Sequence, residues 1–162
     1  MAQNYRVDVE GDVELIRKLK AMSKGFRTQA LLHAVTQGAE IVEREAKARA
    51  PVRKGGKGGT LRRSITTVKL KSTSKLAKVG VSWRKGRASR TDAFYGIMVE
   101  KGTKSRFRKK WRKKPLKKPA STGRGPERPF LIPAYLSKRE AVAREVKVQL
   151  SRLIRRAAKK GL

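Results

Sequence analysis

The chain has 162 residues, 44 of them Lys or Arg and 12 Asp or Glu, for a formal net charge of +32; it contains no cysteine and a single histidine, His33. These figures exclude disulfides, thiolate metal sites and a cysteine nucleophile, and leave multi-histidine metal sites without ligands, so no cofactor and no metal is expected. No apolar run approaches the ~18 residues of a membrane span. Residues 1–10 lack the basic-then-apolar order of a secretory leader, so the expectation is one domain spanning 1–162, made in the cytoplasm, without a membrane and in polyanionic surroundings.

Residues 5–9 alternate, with Tyr5, Val7 and Val9 on one side and Arg6 and Asp8 on the other, which predicts a short half-buried strand. Asp12 is placed to cap a helix through Leu15, Ile16 and Leu19 to about Ser23, with Gly25 as its stop. A longer helix is expected over about residues 28–50, with Leu32, Val35, Ala39, Val42 and Ala46 as its apolar stripe and Pro51 as its end. The glycine-rich stretch 51–60 predicts a flexible connector. Residues 64–71 (Ile65, Val68 and Leu70, whose mixed parity predicts a bulge) and 77–83 pair as an antiparallel hairpin across Thr73-Ser74.

A basic loop follows at 84–91, and Asp92 is expected to cap a short helix carrying Phe94, Ile97, Met98 and Val99, closed by Gly102. Residues 104–128 combine Arg108-Lys109-Lys110 and Arg112-Lys113-Lys114 with Pro115, Pro119 and Pro126. Like charges repel and proline blocks helix, which predicts a long extended basic arm that orders against a partner. Arg128-Pro129-Phe130-Leu131-Ile132-Pro133 forms an apolar docking segment. A final helix from about 133 to 159 is lined by Val142, Val146, Leu150, Leu153 and Ala157, with Arg155, Arg156, Lys159 and Lys160 favourable at the negative end of its dipole. The fold class is α+β: an N-terminal strand and helices, plus a long C-terminal helix, packed on a small antiparallel sheet, with long basic loops.

Charge is unevenly spread. Net charge is +2 over residues 1–50, +12 over 51–103, +11 over 104–128 and +7 over 129–162. The arm has one acid in 25 residues, too few for a merely solvated run, which points to contact with phosphates or an acidic protein face. Candidate contact residues are Arg53, Lys54 and Lys57 in the connector and Arg106, Arg108, Lys109, Lys110, Arg112, Lys113, Lys114, Lys117 and Lys118 in the arm. Catalytic readings find little support. His33 has no partner pattern, and the glycines at 55–59 lack the Lys-Ser/Thr and the strand-to-helix setting of a phosphate loop. Asp92 is better used as a helix cap, and Glu100 as the partner of a nearby Arg or Lys, than as an acid–base pair. No enzyme is expected. From composition alone the leading class would be a ribosomal or other non-specific nucleic-acid-binding protein.

The order of motifs narrows this. Ala50-Pro51-Val52 leads through glycines to Gly59-Thr60-Leu61-Arg62-Arg63-Ser64-Ile65. Val79-Gly80-Val81 follows in a strand, then Tyr95-Gly96-Ile97-Met98-Val99-Glu100-Lys101-Gly102-Thr103, and last Arg128-Pro129-Phe130-Leu131-Ile132-Pro133-Ala134 before a long helix. Over about residues 28–155 this order resembles the small tail-component family of lambdoid-type long-tailed phages, also called tail-completion or head–tail connector proteins. The resemblance implies a structural virion protein without catalytic residues. It implies a homo-oligomeric ring, six-fold, in the neck between portal and tail tube, with phage neck and tail proteins as partners and genomic DNA passing non-specifically. It makes Leu61, Ser64, Tyr95, Glu100, Gly102, Phe130 and Pro133 the assembly framework. Phe130 and Leu131 stand either as an apolar plug for a neighbouring subunit or as filling for the subunit's own core.

Overall fold

The computed structural model describes residues 13–52, 58–84, 93–105, 107–111, 114–121 and 123–159, with the backbone alone for 107–111 and 114–120. The elements in chain order are α1 (Val13–Ala21), α2 (Lys24–Arg49), α3 (Thr60–Ser64), β1 (Ile65–Ser72), β2 (Ala77–Trp83), α4 (Gly96–Lys101), β3 (Phe107–Trp111), β4 (Lys114–Ser121) and α5 (Leu131–Lys159). The architecture is α+β. The strand expected at 5–9, the Asp12 and Asp92 caps and the connector residues Arg53, Lys54 and Lys57 lie outside the described residues.

The two long helices form the frame. α2 begins four residues earlier than its periodicity predicts, because the Ser23 hydroxyl accepts the Phe26 amide and caps it there. Gly25, expected to stop the preceding helix, therefore sits inside the first turn of α2. At the other end, Arg62 donates to the carbonyl oxygens of Lys47 (2.6 Å) and Ala48 (3.3 Å), satisfying carbonyls the helix leaves unpaired. α5 runs antiparallel to α2: Arg49 reaches Ser137, Lys138 reaches Glu45, and Gly38 faces Val142 and Val146.

The buried face of α2 is Ala30, Ala34, Gly38, Ala39, Val42 and Ala46, whereas Leu32 and Val35 are half-buried at its flank. The contact stripe is thus rotated toward small residues in the first half of the helix. The reason is close approach: a Cβ on Gly38 would lie 3.0 Å from methyls of both Val142 and Val146. The opposing stripe of α5 is Ala134, Val142, Val146, Leu150, Ile154 and Ala157, with Leu153 half-buried.

β1 and β2 pair antiparallel from Ile65 with Trp83 to Ser72 with Ala77, with a bulge between Lys69 and Lys71, and they pack on α2. Thr60 and Ser64 are not connector and strand, as the sequence predicts, but the ends of the one-and-a-half-turn helix α3. Its entry is Gly59, in the left-handed region at φ 87°. The Ser64 hydroxyl closes it on the Leu61 carbonyl.

Residues 104–128, read from the sequence as an extended basic arm, hold a separate two-stranded antiparallel sheet, β3 with β4. Between Arg108 and Lys110, β3 advances two residues while β4 steps from Ala120 to Pro115, so Pro119 falls within a wide bulge and Pro115 at its edge. Proline is tolerated in strands at edges and bulges, and both strands of a two-stranded ribbon are edges.

Candidate functional site

The stretches around Glu100 and Phe130 meet at one junction, where the β3–β4 ribbon leaves and rejoins the helical body. α4 carries Glu100 into it. Only 6% exposed, the Glu100 carboxylate accepts the amides of Phe130 (2.9 Å) and Leu131 (3.0 Å) on Oε2 and of Ile132 (3.1 Å) on Oε1. Pro133 has no amide to satisfy, and Ala134 already bonds the Phe130 carbonyl. All the free donors of the first turn of α5 are therefore accounted for. A carboxylate at this end also complements the positive end of the helix dipole. Glu100 is thus the cap of α5, not the ion-pair partner of a nearby Arg or Lys that the sequence predicts.

Gly102 ends α4 at φ 66°, ψ −175°, a region open essentially to glycine. It is also tightly enclosed, since a Cβ there would lie 2.7 Å from the Gly125 carbonyl. Beyond it Thr103 and Gly125 exchange both backbone bonds (3.0 and 3.1 Å), and the Arg128 amide bonds the Val99 carbonyl (2.9 Å). These contacts clamp the base of the ribbon to α4. Ser105 and Ser121 add a hydroxyl pair at 2.9 Å.

Behind the clamp lies an aromatic stack. Phe130 is fully buried with its ring 5.9 Å from that of Trp83, tilted by 55°. Gly96 passes the same indole so closely that a Cβ would lie 2.5 Å from it. Phe130 therefore fills this subunit's own core, which decides the alternative left open by the sequence, while Leu131 is half-buried. Ser64 and Leu61 are buried, and the Ser64 carbonyl accepts the Arg84 amide, whose own carbonyl accepts the Ala93 amide. Tyr95 is half-buried, edge-on to Phe94 at 5.8 Å.

The framework residues are thus brought together, but as one subunit's internal scaffold. The outward apolar groups nearby are Phe94 (63% exposed), Ile97 and Met98 on α4. Of the predicted contact residues, Arg108, Lys109 and Lys110 lie on β3, and Lys114, Lys117 and Lys118 on β4. Arg106, Arg112 and Lys113 are outside the described residues. His33 is exposed on α2. Trp83, Gly96, Thr103 and Gly125 have structural parts that the motif reading did not assign.

A polar hollow between α2 and β1 is organised by Glu43. It takes the Thr67 amide and hydroxyl (both 2.7 Å) and pairs with Lys47. Burial raises its pKa, but the bonds from Lys47 and Thr67 outweigh this and hold the carboxyl below its ordinary value. Among the described residues no cluster of His, Cys, Asp and Glu is placed to hold a metal ion, and no helix is long and apolar enough to cross a membrane.

Residues 13–102, more than half of the chain, match the model of the family described as "Bacteriophage HK97-gp10, putative tail-component". The chain belongs to this family. No curated protein and no solved structure matches it. The HK97 gp10-like segment runs from α1 to Gly102, so it includes Leu61, Ser64, Tyr95 and Glu100. It stops where the basic ribbon begins, short of Phe130 and α5. As a tail component of a phage, this HK97 gp10-like protein is a virion protein that works among other tail or neck proteins.

Proposed function

We propose that this tail component completes the tail and joins it to the head. Copies assemble into a six-fold ring in the neck, around the channel through which genomic DNA passes, and the protein acts without catalysis. Family membership carries the reading, and the charge distribution supports it. The ribbon that holds Arg108, Lys109, Lys110, Lys114, Lys117 and Lys118 is clamped by its base at Thr103 and Gly125, so its direction is set by the body. These residues, with Arg53, Lys54, Lys57, Arg106, Arg112 and Lys113, contact passing DNA or an acidic neighbour. Leu61, Ser64, Tyr95, Glu100, Gly102, Phe130 and Pro133 serve assembly by keeping that base rigid. The apolar surface of Phe94, just ahead of α4, and of Ile97 and Met98 on α4 is the part that faces a neighbouring subunit.

Particles produced without this protein test the reading by electron microscopy. Filled heads and separate tails are expected. Normal tails joined to filled heads would overturn it.

A further inference from the structure

A second concentration of positive charge lies on α5, on the side opposite its buried stripe. Arg144, Lys147, Arg152, Arg155, Arg156 and Lys159 are all exposed. At 100° per residue they fall within one half of the helix circumference, diametrically across from Val146 and Leu150. The face extends over 15 residue steps, about 22 Å at the rise of an α-helix. Glu145, the last acid of the chain, falls inside this half between Arg152 and Arg156, where it is half-buried and accepts a bond from Gln149. Among the described residues no carboxylate pairs with any of the six cations. The last turn can use one or two of them against the helix dipole. That effect fades within a turn and does not account for Arg144, Lys147 and Arg152.

We infer that this face of α5 is a second DNA-contacting surface, which lies along the phosphate backbone of duplex DNA without reading bases. Four of the six cations are arginine, whose planar fork suits phosphate and carboxylate oxygens alike. Two observations favour duplex DNA over an acidic protein. Val148, 48% exposed, is the large apolar group on this face, whereas the centre of a protein interface is depleted of charge and rich in aromatic anchors. The lengths also match, because about 22 Å of duplex carries roughly 13 phosphate charges, enough to oppose six cations in one line. Arginine also reads guanine edges, so contact with the backbone alone requires that unrelated duplexes bind alike. The inference deepens the proposed neck function and rests on its premise that DNA passes this protein.

The test uses the full-length protein and fluorescence anisotropy with two unrelated 30-base-pair duplexes, in 50–300 mM KCl. The wild type is expected to bind both duplexes alike, with a steep fall of affinity with salt. The variant R152Q/R155Q/R156Q keeps good helix formers at exposed positions. Its slope of log affinity against log salt is expected to flatten by about 3, with at least a tenfold loss at 100 mM salt. R152K/R155K/R156K should restore most of the slope. A glutamine variant with the wild-type circular-dichroism melt and an unchanged slope overturns the inference, even if K109Q/K110Q/K114Q shows that the ribbon binds DNA. A wild type that leaves both duplexes unbound at 50 mM salt overturns it too, as does an α5 face that captures only an acidic neck protein. The joining role is judged separately, by particle morphology, so the two can fail independently.

Discussion

Glu100 shows how one side chain can hold two segments 30 residues apart. Its carboxylate satisfies three amides that α5 would otherwise bury unpaired, and it does so from the short helix α4. Loss of a helix cap costs about 0.5–2 kcal/mol, and hydrogen bonds to a charged acceptor are each worth about 1.5–3. Glu100→Ala is therefore expected to destabilise the protein by about 3 kcal/mol in urea unfolding. Glu100→Gln, which retains one acceptor oxygen, is expected to cost less than half of that. Equal losses for the two variants, or none, would show that the cap contributes little. Gly102 and Gly96 set the same junction sterically, the first by a backbone conformation closed to other residues, the second by its contact with the Trp83 indole.

Among the elements, the β3–β4 ribbon and the α2–α5 pair divide the work. α2 and α5 bury their apolar stripes on each other, and α2 also packs on β1–β2. β3 and β4 pack principally on one another and meet the body through Thr103, Gly125 and the Glu100 cap. Such a ribbon adds little to the core and closes a loop whose ends are already fixed, so shortening it carries a small entropic change. Replacing residues 106–122 by two glycines is expected to preserve the helical circular-dichroism signal and a cooperative melt within about 5 °C of wild type, a shift of roughly 1–2 kcal/mol. Loss of cooperative unfolding would show that the ribbon is part of the folding unit. The hairpin also explains how a sequence so charged and proline-containing can pair at all, since its prolines fall at an edge and a bulge.

For the whole molecule the governing quantity is +32 on 162 residues. Among the described residues the ion pairs are three within single helices, Glu14–Lys18, Glu43–Lys47 and Glu45–Arg49, and one between α2 and α5, Glu45–Lys138, and they leave most cations uncompensated. Self-repulsion at this charge opposes compaction and, in a ring, would oppose assembly. Added salt shortens the Debye length from about 30 Å at 0.01 M to about 8 Å at 0.15 M. The melting temperature is therefore expected to rise by several degrees between these concentrations. A flat or falling melting temperature in differential scanning calorimetry would contradict that account.

The sequence alone determined the charge and its asymmetry, the two long helices, the β1–β2 hairpin with its bulge, and the order of motifs that marks a phage tail component. These follow from periodicity and local chemistry, which act over a few residues and can be read in a line. Other features were settled only by the tertiary structure. α2 buries Ala34 and Gly38 in preference to Leu32 and Val35, because the close approach of α5 leaves no room for larger groups at the crossing. Phe130 turned inward because Trp83 and Gly96 shape a slot for it, and Glu100 became a cap because α5 begins within its reach. The basic face of α5 emerges once the opposite side of the helix is known to be buried. Each depends on which distant surfaces meet, and hydrogen bonding and packing across 30 to 110 residues leave no local trace in composition or spacing.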